Sequence, residues 1–210
     1  MTPPPKSRND APMIPSLTET SALIRSRRTT KPAGMDAERA VDHALLMELL
    51  ENANWAPTHG LTEPWRFRVF TGNARARLAD GMQRIYREIT PTDGFREDKY
   101  DKLGKNPLLA PVVIVAFMER HGDGKIPEIE EIEAMACALQ NFALSATSAG
   151  LGFFWSSPPL IYDQAFNDWL GIRAEDRCVG LIYLGWPKAD SPPPKSVRTP
   201  ITEKVTFADA

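Results

Sequence analysis

The spacing of apolar residues along the chain predicts several helices. Leucines and an alanine recur at helical intervals after Asp42, whose side chain is suited to cap a helix N-terminus. Further helices are predicted over 73–89 and 162–170, and the longest runs over 127–149. This long helix begins with acidic residues, which favour a helix N-terminus, and continues with many small ones. Small residues allow close packing against another helix, either within the core or at a dimer interface.

Four other segments have the composition of strands. The runs 112–118 and 178–185 are continuously apolar and rich in β-branched residues, which is typical of strands buried on both faces. The segment that begins at Trp65 alternates apolar and basic residues, as a half-buried strand does, and 151–155 is a further short strand. Helices and strands are therefore interspersed along a chain of 210 residues, which is long enough for one domain with a full core.

The chain ends differ in composition from the rest. Proline-rich residues 1–17 are predicted to form a flexible N-terminal arm, and residues 188–210 an extended C-terminal arm. Residues 18–187 remain as a single folded domain. Within that domain the polar segment 90–107 is predicted to contain one short helix between loops.

The first helix is predicted near residue 20. Thr18 or Thr20 would cap it, Leu23 and Ile24 would form its buried face, and a basic cluster over 25–31 follows. Cations stabilise a helix C-terminus through the macrodipole. Arginine side chains beside threonine hydroxyls are equally suited to bind a phosphate group. The sequence alone leaves both explanations of the cluster open.

Composition narrows the classes of function. The net charge of −2 gives no electrostatic basis for binding nucleic acid or an anionic membrane, and no stretch has the length needed to span a bilayer. The N-terminus lacks the apolar core of a signal peptide. Cys137 and Cys178 lie among apolar residues, so we expect two buried thiols and neither a disulfide nor a metal pair. These features predict a protein of the reducing cytoplasm.

The sequence lacks the motifs of the common catalytic centres. His43, His59 and His121 do not have the spacing of a zinc site, and no nucleophile elbow, phosphate-binding loop or dinucleotide fingerprint is present. No catalytic side chain and no metal ligand are therefore assigned. We expect a bound cofactor to supply the chemistry of such a chain.

The connection between a helix and a strand at residues 54–70 combines groups suited to a ligand. Pro57 ends the helix and Pro64 precedes the strand, with a hydroxyl, the imidazole of His59 and the glycine Gly60 between them. A loop of this kind between rigid elements is suited to a planar polar ligand. The same residues also describe an ordinary connection flanked by two core tryptophans, which they favour by a small margin when taken alone.

Four short motifs follow one another in a recognisable order. They are RRTT at 27–30, APTHGLTEPW at 56–65, AGLG leading to WSS at 149–157, and YLGWP at 183–187. Each motif is weak alone, but together they resemble those of the nitroreductase-like FMN flavoproteins, particularly the small, compact members. The resemblance extends over 18–207. It implies an α+β fold with a central mixed β-sheet flanked by helices, in an intertwined homodimer.

The resemblance also implies an FMN site at the subunit interface. The RRTT motif and the C-terminal arm would hold the phosphate and ribityl chain, and the WSS motif would lie beside the isoalloxazine ring. The 54–70 connection would reach the flavin bound mainly by the partner subunit. The residues so implied as FMN contacts are Arg27, Arg28, Thr29, Trp55, His59, Trp155, Ser156, Ser157 and Arg198, with Lys31 a further candidate.

The implied activity is that of an NAD(P)H-dependent oxidoreductase. NADPH or NADH would pass hydride to the flavin N5 and leave, and a nitroaromatic, quinone or related small acceptor would then be reduced in a ping-pong cycle. Leu61, Glu63 and Ser156 depart from the pattern of many relatives. These departures leave open an oxidoreductase dedicated to an enone, another metabolite or flavin itself, and a non-catalytic flavin-binding module. A cofactor-free interaction domain is the remaining alternative.

Overall fold

The computed structural model of the chain describes residues 14–190 and 195–208. The helices are α1 (Leu17–Ser26), α2 (His43–Asn54), α3 (Ala74–Ile89), α4 (Glu97–Lys105), α5 (Glu128–Ser148) and α6 (Gln164–Leu170). The strands are β1 (Trp65–Thr71), β2 (Val112–Met118), β3 (Gly152–Ser156) and β4 (Arg177–Gly185). Parts of the two predicted arms, at 1–13, 191–194 and 209–210, lie outside the described residues, so the predicted domain boundaries stay predictions.

The strands form one sheet in the order β1-β2-β4-β3. The three ladders that join them are antiparallel. In the described part of the chain, the parallel pairing that makes the sheet mixed is a single bridge between Thr29 and Phe153, at the outer edge of β3. The α+β class is confirmed. Strand β2 takes a central place because it is apolar on both faces, and all of its residues are buried.

Two apolar clusters cover opposite faces of the sheet. Successive strand residues point to opposite sides, so Ile114 faces the cluster formed with α2 and α5, while Val113 and Val115 face the cluster formed with α3, α4 and α6. The candidate site described below lies on the α5 face. The α3–α4 face contains a separate cavity.

Most predicted helices begin and end where the sequence places them. The Asp42 carboxylate accepts hydrogen bonds from the backbone N–H groups of Ala44 at 2.8 Å and Leu45 at 3.2 Å, so it caps α2 as predicted. Helix α6 ends at Gly171, whose φ of 66° is the left-handed conformation that glycine adopts without cost. The predicted short helix of 90–107 is α4.

Helix α1 differs from its prediction at both the cap and the buried face. Neither predicted threonine is the N-cap: the hydroxyl of Ser16 accepts from the N–H of Glu19 at 3.3 Å, and the Glu19 carboxylate accepts from the Ser16 N–H at 2.8 Å. This capping box satisfies two N–H groups at once, which a threonine two or four residues later does not match. Leu23 is only half-buried and Ile24 is 52% exposed, because α1 lies on the outside of α5.

The two cysteines have different environments, and the prediction of two buried thiols is wrong for one of them. Cys178 is buried in β4, and this burial raises the pKa of its thiol to about 12. Cys137 is exposed on the outer face of α5. Apolar neighbours in sequence do not decide which face of a helix a residue occupies.

Two further properties concern the helices and side chains of residues 14–190 and 195–208. None of their helices combines the length and apolar character of a membrane-spanning segment. Within the same residues, no group of three histidine, cysteine or acidic side chains is arranged to hold a metal ion.

Candidate active site

A groove forms where the segment after α1 runs beside the edge strand β3 and over α5. The Thr30 N–H donates to the Phe153 carbonyl at 3.0 Å, which fixes the neighbouring Thr29 against the strand. This pairing is available because an edge strand has unpaired backbone groups. The groove has a volume of about 220 Å³ and is lined by Arg27, Thr29, Leu139, Gln140, Ala143, Phe153 and Trp155.

The two arginines of the RRTT motif have different surroundings. Arg27, the C-cap residue of α1, lines the groove. The Arg28 guanidinium instead donates to the carbonyl oxygens of Arg25 and Arg27. Carbonyls at a helix C-terminus lack partners within the helix, so Arg28 acts there as a cap. These hydrogen bonds of Arg28 agree with the capping explanation, whereas Arg27 is the arginine of the motif that lines the groove.

The WSS motif divides between the two faces of the sheet. Trp155 lines the groove, and its indole Nε1 donates to the Val179 carbonyl at 3.0 Å. Ser156 lines the cavity on the α3–α4 face, as strand alternation requires. Ser157 is exposed beyond the end of β3. Trp155 is thus the residue of the motif that the fold brings together with Arg27 and Thr29.

Two glycines allow the walls of the groove to form. A Cβ added to Gly180 would lie 2.2 Å from the Trp155 Nε1, and one added to Gly152 would lie 2.8 Å from the Thr30 Cβ. In the sequence, Gly180 stands out only as part of an apolar strand and Gly152 only as part of a motif. The signal was present, because a glycine inside a strand often marks the close approach of another group. Gln140 and its neighbours on α5 carried no comparable signal.

The connection between α2 and β1 has a strained backbone. Gly60, Leu61 and Glu63 have φ values of 62°, 54° and 44°. Glycine adopts such values freely, whereas the two other residues pay about 1–2 kcal/mol each. The Thr58 hydroxyl holds the turn, since it accepts from the Glu63 N–H at 3.3 Å. Strain of this kind persists where the surroundings impose it, and it is common at functional sites.

Trp55 and His59 do not reach the groove of their own chain. Trp55 is 79% exposed, and its Nε1 donates to Glu51 at 3.1 Å. The His59 Nδ1 lies 2.5 Å from a carboxylate oxygen of Glu130 in the first turn of α5. The groove meets α5 at Gln140, ten residues or about 15 Å further along the helix. Any contact of Trp55 or His59 with this type of groove therefore involves another copy of the chain.

Arg198 is also outside the groove. It is exposed in the segment 195–208, where its Nη1 donates to the Ser196 hydroxyl at 2.6 Å and to the Val197 carbonyl at 3.0 Å. Among the described residues it has no hydrogen bond or ion pair with a groove residue. The fold thus brings together three of the nine residues implied as FMN contacts, namely Arg27, Thr29 and Trp155.

Comparisons of the sequence with known proteins show that it is similar to members of one family. The sequence model of the nitroreductase family matches residues 24–186. The YfhC protein of Bacillus subtilis, provisionally named an NAD(P)H nitroreductase, is 28% identical over 187 residues, which are 88% of this chain and 91% of that protein. The 5,6-dimethylbenzimidazole synthase of Rhodospirillum rubrum is 30% identical over 189 residues, covering 84% of this chain and 86% of the enzyme.

Solved structures agree in fold. A nitroreductase-like family protein from Bacillus cereus superimposes with a TM-score of 0.77 at 31% identity, over 94% of this chain and 100% of that one. The FMN-dependent nitroreductase NfnB from Mycobacterium smegmatis, solved in complex with NADPH, gives a TM-score of 0.70 at 19% identity, over 92% and 100% of the two chains. At that level of identity the second comparison bears on the fold alone.

Proposed function

The chain belongs to the nitroreductase family, and on that premise we propose that it is an FMN-dependent NAD(P)H oxidoreductase that reduces nitroaromatic, quinone or related small acceptors. The observation that carries the proposal is the groove on the α5 face. Arg27, Thr29 and Trp155, which come from two motifs far apart in sequence, line it together. Names of relatives support an NAD(P)H-dependent activity, and the choice of acceptor is the finer part of the proposal.

The groove residues fit FMN in their chemistry. Arg27 offers a planar cationic group that pairs with phosphate oxygens, and Thr29 and Gln140 offer hydrogen-bonding side chains. Trp155 and Phe153 offer apolar surface against which a ring can pack. When bound, FMN would supply the two-electron chemistry, taking hydride from the nicotinamide at N5 and passing it to the acceptor.

The contribution of the protein is then binding and orientation. The bond from the Trp155 indole to the Val179 carbonyl fixes the indole plane across Gly180, so this wall of the groove is already in place before a ligand arrives. The pairing of Thr30 with Phe153 similarly holds the RRTT segment at the strand edge. The groove therefore has two rigid sides, and Arg27 would bind the phosphate end of FMN.

The proposal includes a homodimer with FMN at the interface. The groove of about 220 Å³ is smaller than the about 300–1,000 Å³ of pockets that enclose a small ligand, so a further wall is needed. The exposed Trp55 and the strained turn at Gly60 and Leu61 do not line the groove of their own chain. A second copy that places this connection over the groove would supply the wall.

The first experiment measures FMN affinity in variants of the basic cluster. Arg27→Gln should raise the FMN dissociation constant about 10- to 100-fold, because it removes a charge-assisted hydrogen bond to phosphate. Arg25→Gln is the matched control, since Arg25 is an exposed member of the same cluster that does not line the groove. Arg28→Ala should lower the free energy of unfolding, because Arg28 caps α1, and should change the affinity for FMN only slightly. Equal FMN affinity in the Arg27 and Arg25 variants would argue against the proposed phosphate site.

The second experiment separates catalysis from binding alone. Purified protein is mixed anaerobically with NADPH or NADH, and the flavin absorbance is followed. Rapid bleaching, followed by recovery when a nitroaromatic or quinone is added, supports the oxidoreductase. If the flavin stays oxidised with both nucleotides, the oxidoreductase is excluded and the non-catalytic flavin-binding module is the interpretation that remains. Converging steady-state lines, in place of parallel ones, would contradict the two-step cycle.

A further inference from the structure

A second cavity, which the proposed function does not use, lies on the α3–α4 face of the sheet. Its volume is about 570 Å³, within the about 300–1,000 Å³ that is typical of small-molecule sites. It is bordered by α3, α4, the end of β3 and the turn after it. Its apolar lining includes Ile89, Leu103, Pro158 and Leu160. The sheet separates this cavity from the groove, because Trp155 and Ser156 line opposite faces.

The inner wall of this cavity includes a tyrosine whose hydroxyl has no hydrogen-bond partner among the described residues. Tyr183 of β4 is only 2% exposed, and its ring packs against Phe154 with 5.8 Å between the centroids. No described residue donates to or accepts from its hydroxyl. Burial raises the pKa of this phenol, so it is a neutral donor. By contrast, the other tyrosine that lines the cavity, Tyr86, accepts from the Arg96 N–H at 3.0 Å.

The hydroxyl of Tyr183 gives this largely apolar cavity a polar group that a ligand can reach. In the described part of the chain, the sealed side-chain polar atom without a partner is Asn167 Oδ1, so the Tyr183 hydroxyl is not sealed and is open to the cavity. An acceptor atom on a bound molecule would satisfy the hydroxyl of Tyr183.

The charges around the cavity favour an anion at one end. Lys99 and Lys102 lie on the α4 side of the lining, whereas Asp163 lies on the side of α6. Lys102 is 3.2 Å from Asp98, which leaves Lys99 as the lining cation without an ion pair in the described part of the chain. The Asp163 carboxylate accepts from the Ala165 N–H and caps α6, so it is fixed there and repels a second anion. An anionic group would therefore bind near Lys99.

We propose that this cavity is a second ligand site that takes a small aromatic carboxylate. The carboxylate binds at Lys99 and Lys102, the flat apolar body lies between Ile89 and Leu160, and an oxygen at the far end accepts from the hydroxyl of Tyr183. The site is independent of the flavin groove on the opposite face of the sheet. Binding there is expected whether or not the groove holds FMN.

The test measures the binding of three probes to the purified full-length protein by isothermal titration calorimetry. The first probe, 6-hydroxy-2-naphthoate, has a carboxylate and a distal oxygen; 6-hydroxy-2-naphthamide lacks the charge, and 2-naphthoate lacks the distal oxygen. The double variant Lys99→Gln/Lys102→Gln should weaken both carboxylates about tenfold and leave the amide unchanged. Tyr183→Phe should weaken only the two probes with the distal oxygen, by about fivefold.

Matched controls are available in the same elements. Lys105→Gln alters an α4 lysine paired with Asp101, away from the lining, and Tyr162→Phe removes the hydroxyl of a tyrosine that is 65% exposed. Neither should change binding. The lysines are exposed, so the double variant is expected to fold even if Tyr183→Phe does not. The proposal is overturned if the first probe does not bind at millimolar concentration, or if it binds the double variant as tightly as the natural protein.

Discussion

Replacing Gly180 by alanine tests how the groove wall is built. The added Cβ would lie 2.2 Å from the Nε1 and 2.5 Å from the Cδ1 of Trp155, well inside van der Waals contact. Gly180 is paired with Ala116 of the central strand β2, which holds its backbone on that side. The indole, which is 39% exposed, has to swing towards solvent.

The expected cost follows from what the displaced indole loses. Its hydrogen bond to the Val179 carbonyl is worth about 1 kcal/mol, and poor packing against an added methyl typically costs about 1–3 kcal/mol. Alanine returns about 0.4–1 kcal/mol, because it restricts the unfolded chain more than glycine does. We therefore expect Gly180→Ala to lower the free energy of unfolding by about 1–3.5 kcal/mol and to weaken FMN binding.

A double-mutant cycle with Trp155→Ala isolates this clash. Urea unfolding gives the stability of the natural protein, both single variants and the double variant. Without the indole the added methyl meets no obstacle, so Gly180→Ala should be neutral or slightly stabilising in that background. The same cost for Gly180→Ala in both backgrounds would refute the account of the groove wall. FMN affinity measured on the four proteins should show the same dependence.

Three further predictions concern the rest of the chain. Leu61→Asn should raise the free energy of unfolding by about 0.5–1 kcal/mol, because asparagine tolerates positive φ and Leu61 is 82% exposed; Leu61→Ala, which keeps the strain, should show no such gain in the same urea titration. Glu131→Gln should lower the free energy of unfolding by about 2–4 kcal/mol, because this fully buried carboxylate pairs with Arg120. A loss below about 0.5 kcal/mol, which is the size expected of surface substitutions, would contradict that role. Cys178 should resist thiol reagents at pH 8 in the folded protein, since a pKa of about 12 leaves about one thiolate in 10⁴; peptide mapping after alkylation, with and without urea, checks this.

The elements of the fold were predictable where one local signal dominates. Strand β2 and helix α2 follow from an unbroken apolar run and from a capping aspartate. The predicted start of α1 is too late because Ser16 lies at the end of a proline-rich stretch, although Ser16 and Glu19 have the spacing of a capping box. Exposure of Cys137 could not be predicted, because it depends on which side of α5 receives the sheet.

The site was predictable as segments but not as a set of side chains. Two of the motifs contribute residues to the groove, yet the resemblance implies both Trp155 and Ser156 as flavin contacts, although neighbours in a strand point to opposite faces. Gly180 and Gln140 enter the groove from elements that only the tertiary structure brings near. A sequence motif identifies where a ligand binds along the chain, and the sheet decides which of its residues can reach that ligand.

The connection between α2 and β1 violates local preferences more than other parts of the candidate site. A large indole at Trp55 is left in solvent, and leucine occupies a position of positive φ that glycine or asparagine would adopt at lower cost. A chain that acted alone would gain stability by losing both features. Local violations of this kind are expected where a functional contact imposes them. The contact proposed here is with the groove of a second copy, which lacks one wall. Trp55→Ala should therefore lower the affinity of the protein for FMN, even though no residue that lines the groove has changed.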